Sequence, residues 1–307
     1  MAKSDDRAVE AEASTSDARG WVPTADAKRQ ATRLRWIAAV LWAIAIAGEA
    51  VAIFWVLRQR DVPADTGLTR NPETGLLEQQ ATGGTFPQWA FITLLVMLVV
   101  IAALSITGSL LWKSANRLDP ARKSDTVRFF VQNQLGAIIA VIAFLPLIIL
   151  IFLNKDMDKG QKTTAGAIGI VLAAVAVFFG ISFTPPSVEK YTADQSTVIM
   201  MLGEDQVTWV AGGGVYHVCD RVSDIQTGSE IMTGTTAEAI EAGKQRLTLK
   251  FASELRACDL PVPVNVQEIT DALRQIQDDR TVTLPKPEWG EGVTPPLVVD
   301  DAAPAAG

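Results

Sequence analysis

Four long apolar runs constrain the fold of this chain more than any other feature of its sequence. The runs cover residues 36–57, 89–112, 135–153 and 165–183, and Glu49 is the one charged side chain within them. A stretch of about 18 or more apolar residues can cross the hydrocarbon core of a bilayer as a helix. A soluble helix of that length would normally carry a polar face. The sequence therefore predicts four transmembrane helices.

Composition divides the chain into four parts. Residues 1–34 are polar and lack apolar periodicity, which is typical of disorder, and residues 35–186 hold the four runs. Residues 187–280 carry helix and strand signals, whereas residues 281–307 contain five prolines and no periodicity, which predicts a disordered tail. The expected fold class is a four-helix transmembrane bundle with a small appended α+β domain.

Local signals predict the elements of that small domain. A helix is expected over residues 187–202, followed by a β-hairpin over 207–219 that turns at three consecutive glycines. Thr235 and Glu238 have the spacing of a capping box, and Asn265 and Glu268 repeat it. Two further helices should therefore start at these positions, with Gly243 ending the first.

Charge distribution bears on partners. Residues 187–307 carry 9 Lys and Arg against 19 Asp and Glu. A domain this acidic repels phosphate backbones, so nucleic acid is not expected to bind. The expected partners are the lipid bilayer and other membrane proteins, and the sequence leaves the oligomeric state open.

The distribution of Lys and Arg in short loops predicts orientation in the cell membrane. Four basic residues within residues 28–35 flank the start of the first run and five lie between the second and third, against three in each of the other two loops. The N-terminus should therefore be cytoplasmic, and four spans return the C-terminal domain to the cytoplasm. If Pro146 made the third run re-entrant, that domain would be extracellular instead.

Glu49 is the most informative single residue, because a carboxylate inside a membrane span costs roughly 3 kcal/mol or more to bury. Ala45 and Ala52 make its helix face small, which suits a helix contact. Pro146 leaves the Ile142 carbonyl without a helical donor and thus free to accept from a protonated Glu49. Glu49 is either a protonatable group for proton, ion or headgroup binding, or a neutral side chain making one interhelical hydrogen bond.

Small residues form a stripe along the fourth run, where they allow helix backbones to approach closely. The stripe consists of Gly166, Gly169, Ala173, Ala176 and Gly180. It predicts packing within the bundle, with a contact between copies of the chain as the alternative.

Cys219 and Cys258 are the only cysteines, and both lie in the C-terminal domain. They are either two buried thiols in a cytoplasmic domain or one disulfide in an exported domain. His217 lies two residues before Cys219, but paired ligands of the Cys-x-x-Cys kind are absent, so no metal site is predicted.

The sequence carries no phosphate-binding loop, hydrolase or kinase motif, and one histidine offers little acid–base chemistry. No catalytic residue and no cofactor are therefore predicted, and the chain is not expected to be an enzyme. The leading function is a membrane scaffold or interaction protein of the cell envelope. The alternatives are a small transporter or channel that uses Glu49, and a thiol-redox protein that uses Cys219 and Cys258.

Several segments together resemble a group of uncharacterised multi-span membrane proteins from actinobacteria. The segments are residues 129–136 (FFVQNQLG), 143–147 (AFLPL), 152–155 (FLNK), 185–189 (PPSVE), 216–217 (YH) and 234–239 (GTTAEA). The resemblance covers roughly residues 30–260. It implies several spans followed by a C-terminal module with a Tyr-His motif, and it implies no activity.

Overall fold

The computed structural model describes residues 20–61, 68–70, 77–79, 84–222, 225, 228 and 230–296. The chain forms two compact units. One comprises Arg33–Ser114 and Asn133–Phe183, and the other comprises Met1–Thr32, Ala115–Gln132 and Thr184–Gly307. The predictions of disorder for residues 1–19 and 297–307 lie outside the described residues.

Four helices dominate the first unit: α1 Ala25–Phe54, α2 Gln88–Leu118, α3 Thr126–Leu153 and α4 Lys159–Gly180. All four are long and apolar enough to cross a membrane. The prediction of four long apolar helices followed by a small strand-containing part is therefore confirmed. Each helix begins before its apolar run or continues after it, because polar residues continue the same turns. Residues 25–34 are consequently helical, and the prediction of disorder there is wrong.

The core of the helical unit consists mainly of apolar side chains. Its largest fully buried side chains are Leu94, Leu98, Ile101, Phe144, Leu147 and Ile151. Pro146 lies inside α3, which nevertheless runs without interruption from Thr126 to Leu153. A helix of 28 residues contradicts the re-entrant alternative, because a hairpin would need a break in its middle.

The connections that follow α1 and α3 are held by hydrogen bonds. A 3₁₀ turn, Val56–Arg58, follows α1, and β1 Leu68–Arg70 pairs antiparallel with β2 Leu77–Gln79. The Asn154 side chain donates to the Leu57 carbonyl at 2.9 Å and so closes the turn after α3. Asp158 then starts α4 with a capping box.

In the described residues, the second unit contains two two-stranded sheets and four helices. The strands are β3 Val207–Val210, β4 Val215–Tyr216, β5 Ile231–Gly234 and β6 Arg246–Leu247; the helices are α5 Val188–Leu202, α6 Thr236–Glu241, α7 Phe251–Ala257 and α8 Val266–Gln277. β3 pairs antiparallel with β5, and β4 pairs parallel with β6. One bridge, Thr208 to His217, joins β3 to β4.

The predicted helix starts hold well in this unit. The Ser187 side chain caps α5, and Thr235 and Glu238 form the expected capping box of α6. Gly243 has a positive φ of 92° directly after α6, a conformation that glycine adopts without steric cost. The predicted hairpin over 207–219 is largely replaced, because β5 rather than β4 is the main partner of β3.

Asn265 behaves differently from its prediction. Helix α8 begins after it, but its side chain makes no cap hydrogen bond. It binds the proline-rich segment instead, donating to the Lys286 carbonyl at 2.8 Å and accepting from the Glu288 N–H at 2.9 Å. Residues 281–296 form neither helix nor strand, yet this part of the predicted disordered tail is fixed to the start of α8.

Candidate functional site

Glu49 lies on α1 within the helical unit and is 5% exposed. Ala45 and Ala52, one turn away on either side, are both fully buried. The carboxyl oxygen Oε1 has no hydrogen-bond partner. Burying a carboxyl oxygen without a partner is costly, so Glu49 is a polar group in a place where the fold alone would favour an apolar one.

Two polar features lie near Glu49. The backbone amide of Leu147 faces its carboxyl group, so the contact on α3 is with the residue after Pro146 rather than with the predicted Ile142 carbonyl. Ser105 on α2 is also buried, and its Oγ has no hydrogen-bond partner. Trp42 donates to the Ser105 carbonyl at 3.3 Å, which places Ser105 roughly two turns from Glu49 along the axis of α1.

The predicted stripe on α4 packs within this chain. A methyl group added at Gly180 would overlap the backbone of Gly136 and Ala137 on α3, and one added at Gly166 would overlap the Phe152 ring. At Gly169 it would lie 3.0 Å from Ile148. The glycines therefore serve the close contact between α3 and α4. They give no support to the alternative of a contact between copies of the chain.

Cys219 and Cys258 form a disulfide that closes 39 residues of sequence, with a Cα–Cα distance of 6.5 Å. Cys258 is buried, whereas Cys219 is half-buried. The structure thus brings together the two cysteines singled out by sequence. Neither sulfur is available as a thiolate ligand in this state, and no cluster of three metal-binding side chains occurs among the residues that the structure describes.

Beside the disulfide lies a buried ionisable pair. His217 Nδ1 is 2.7 Å from Glu254 Oε1, and the N–H of Val218 donates to Oε2 of the same carboxylate at 3.2 Å. Sequence reasoning missed Glu254. No local sequence signal marks it, because its role depends on the tertiary contact between residues 217–218 and α7.

Asp194 on α5 is the hub of the small domain and is 1% exposed. Its Oδ2 accepts from the Tyr216 hydroxyl at 2.9 Å and from the Leu247 N–H at 2.8 Å, and its Oδ1 accepts from Gln277 at 2.9 Å. Burial raises the pKa of Asp194 to about 6 despite these donors. One carboxylate thereby joins α5 to β4, β6 and α8, and no local sequence signal marks it.

Lys244 stabilises the glycine turn between β3 and β4. Its ammonium group donates to the carbonyls of Ala211, Gly212 and Gly213 at 3.0–3.2 Å. Burial lowers the pKa of this lysine. The three glycines therefore form a turn that a buried ammonium group closes.

The α2–α3 connection contributes the remaining contacts of interest, within the second unit. The N–H of Lys123 donates to both carboxylate oxygens of Glu189, at 2.9 and 3.0 Å. The ammonium groups of Lys123 and Lys190 both bind Asp279, at 2.9 and 2.8 Å. The Tyr191 hydroxyl donates to the Arg117 carbonyl at 3.2 Å. We call this set of contacts the junction.

The segment that precedes α1 completes the second unit. The Trp21 indole packs against the Tyr191 ring with centroids 4.7 Å apart, and the backbone N–H of Trp21 donates to the Thr192 hydroxyl at 2.9 Å. The Thr24 hydroxyl donates to the Glu241 carboxylate. Three sequence segments far apart in the chain are thereby joined into one unit.

Comparison with protein-family models, curated proteins and solved structures found no match to this chain. The resemblance to actinobacterial membrane proteins therefore stays a prediction.

Proposed function

We propose that the four long helices span the cell membrane. Trp36 and Trp55, both exposed, are 19 residues apart on α1 and its C-terminal turn, or about 28 Å at 1.5 Å per residue. This matches the roughly 30 Å of a hydrocarbon core, and tryptophan favours both of its edges. On α2, Trp89 packs near Trp55 at 6.0 Å, and Arg35 lies over Trp112 at 6.0 Å. The helices thus carry aromatic residues at both predicted edges.

We further propose that the protein is a membrane-anchored scaffold rather than an enzyme. The junction is the observation that supports this role. Glu189, Lys190 and Tyr191 tie the first turn of α5 to the α2–α3 connection through charged and neutral hydrogen bonds. Contacts of this kind hold the second unit in one preformed arrangement, which lowers the entropic cost of binding a partner.

Site-specific photo-crosslinking in native membranes tests the scaffold. A crosslinking side chain at Arg256 or Gln267, both exposed on the small domain, should give a discrete adduct with a second protein. The matched control is Val171, an exposed apolar position on α4, which should give lipid adducts only. Absence of a protein adduct from every domain position, or adducts from Val171 alone, contradicts the proposal.

A second candidate function, passage of protons or cations through the bundle, is favoured by one observation. Glu49 Oε1 and Ser105 Oγ are both buried without a hydrogen-bond partner, and buried oxygens of this kind are the usual ligands of a proton, water or hard cation. Reconstituted vesicles should then show a pH-dependent flux that Glu49→Gln abolishes and Glu268→Gln, an exposed carboxylate on the small domain, leaves unchanged. An equal flux in both variants, or the absence of a flux in the wild type, contradicts this second candidate function.

A further inference from the structure

The disulfide and the buried pair share two short segments of the second unit. Residues 217–219 continue from β4, and residues 254–258 run along α7 into its C-terminal cap. Cys219 Sγ also lies 3.5 Å from the carbonyl oxygen of Glu254, which accepts the Cys258 N–H at 3.0 Å. The same carbonyl thus touches both halves of the disulfide, and the Glu254 side chain holds His217. We call this arrangement of Cys219, Cys258, His217 and Glu254 the latch.

The disulfide is the part of the latch whose formation depends on the redox conditions around the protein. Glu254 uses both carboxylate oxygens to hold the 217–218 backbone and imidazole, and a buried carboxylate is tolerated only while such partners stay in place. Without the disulfide, segments 39 residues apart in sequence must meet through these bonds alone. The crosslink removes most of the loop entropy that opposes this meeting.

We propose that the latch is a redox-sensitive device that closes on the oxidising, extracytoplasmic side of the membrane. In closing, the thiols of Cys219 and Cys258 lose two protons and two electrons to the disulfide of a thiol oxidoreductase, which becomes a dithiol. Opening is the reverse: one thiolate of a dithiol reductant attacks the sulfur of Cys219, the more exposed residue of the pair, and Cys258 leaves as the thiolate. The second thiol of the reductant then displaces Cys219 from the mixed disulfide, and the reductant becomes a disulfide. Thiols in the cytoplasm are kept reduced, so the closed latch belongs outside.

The inference fixes the orientation of the whole chain. The segment that precedes α1 belongs to the same unit as the latch, through Trp21 on Tyr191 and Thr24 on Glu241. An even number of long helices, with α3 unbroken at Pro146, likewise returns the chain to the side on which it started. Residues 20–24 and the small domain are therefore both extracytoplasmic. This orientation is the reverse of the one expected from the distribution of basic residues. That expectation depends on nine Lys and Arg on one side of the four helices against six on the other.

Thiol labelling in intact cells tests the orientation. Cells are treated with a membrane-impermeant phosphine reductant and then with an impermeant maleimide. The expected result is that the wild type is labelled only after reduction, and that Cys258→Ser, which keeps the half-buried Cys219, is labelled without reduction. Labelling only after lysis overturns the extracytoplasmic placement. Labelling of intact, unreduced wild type overturns the closed latch.

Two matched positions calibrate the assay in a background that lacks both native cysteines. Ser124 lies in the α2–α3 connection and Lys155 in the α3–α4 connection, and both are exposed. Ser124→Cys should be labelled in intact cells, whereas Lys155→Cys should require lysis. The opposite pattern overturns the placement independently of whether the native cysteines are oxidised.

Hydrogen exchange of the full protein in mild detergent tests the latch itself. Reduction should speed exchange of the Val218 amide, which the Glu254 carboxylate holds, by up to about a thousand-fold for a loop of this length. The double variant Cys219→Ser/Cys258→Ser should show the same faster exchange without reductant. The amides of α2 in the helical unit serve as the internal reference and should not change. Unchanged exchange at residues 215–222 and 251–260 overturns the coupling between the disulfide and the buried pair.

Discussion

The buried carboxylate of Asp194 gives the small domain a predictable dependence on pH. Its pKa is about 6 in the folded state, against an ordinary value of about 3.9 in an unfolded chain. The folded state therefore binds more protons than the unfolded state between these values, and the contribution to stability is fully present below about pH 4. It is lost as the pH rises through about 6. Two pKa units correspond to about 3 kcal/mol.

Replacement of Asp194 by Asn isolates this contribution. The Gln277 amide cannot rotate to turn its oxygen toward the new side chain at position 194, because its Oε1 accepts from Arg246 and its Nε2 also donates to the Leu247 carbonyl. The new amide N–H₂ therefore faces a donor on one side, which costs about 1–3 kcal/mol. Asp194→Asn should thus be less stable than the wild type at pH 4. At pH 7 the deficit should shrink by about 3 kcal/mol, because the wild type alone now carries a buried charge.

Urea unfolding of the full protein in mild detergent measures both effects. The fluorescence change of interest comes from Trp21 and Trp209, which are both buried in this unit. The exposed carboxylate of Asp220 supplies the control Asp220→Asn, which should follow the wild type at every pH. A difference between wild type and Asp194→Asn that stays constant from pH 4 to pH 7 refutes the reasoning, because Asp194 would then not titrate within this window.

Three further predictions concern packing, the disulfide and the glycine turn. Gly180→Ala places a methyl group into the α3 backbone and should lower the stability of the bundle by about 1–3 kcal/mol in thermal unfolding. The control is Gly48→Ala, whose methyl group would meet only the Ile101 side chain at ordinary contact distance and should change the stability of the bundle little. The double variant Cys219→Ser/Cys258→Ser should lower the free energy of unfolding of the small domain by about 4 kcal/mol, the value for a 39-residue loop. The reduced wild type should show the same free energy of unfolding as this variant in the same urea titration. Lys244→Met removes the donor from three turn carbonyls and should cost about 1–3 kcal/mol, with equal stability of variant and wild type as the contrary result.

Sequence reasoning predicted those elements whose signal is local. Apolar run length located the four helices, and the cap spacing at Thr235 located α6, because a helix start is decided by its own few residues. The hairpin over 207–219 was mostly wrong, because β5 competes for β3 from more than 20 residues away. Strand pairing depends on such distant partners, which a single sequence does not reveal.

The candidate sites divide in the same way. Glu49 and the cysteines stand out by residue type, since a charge in an apolar run and a rare thiol are conspicuous in any sequence. Asp194 and Glu254 are ordinary acids in an acidic domain and become distinctive only through burial and through partners on other elements. Their importance is a property of tertiary contacts, so no inspection of neighbouring residues identifies them.

The composition of the second unit from three separated segments has a consequence for how the protein is made. Trp21 leaves the ribosome first, the α2–α3 connection follows about a hundred residues later, and α5 to α8 come last. The Tyr191 ring and the Glu189 carboxylate therefore find their partners already synthesised, whereas Trp21 waits through the synthesis of all four long helices. An isolated fragment starting at residue 187 would lack both partners and expose the surfaces that they cover. This order makes synthesis of all four long helices a precondition for completing the second unit.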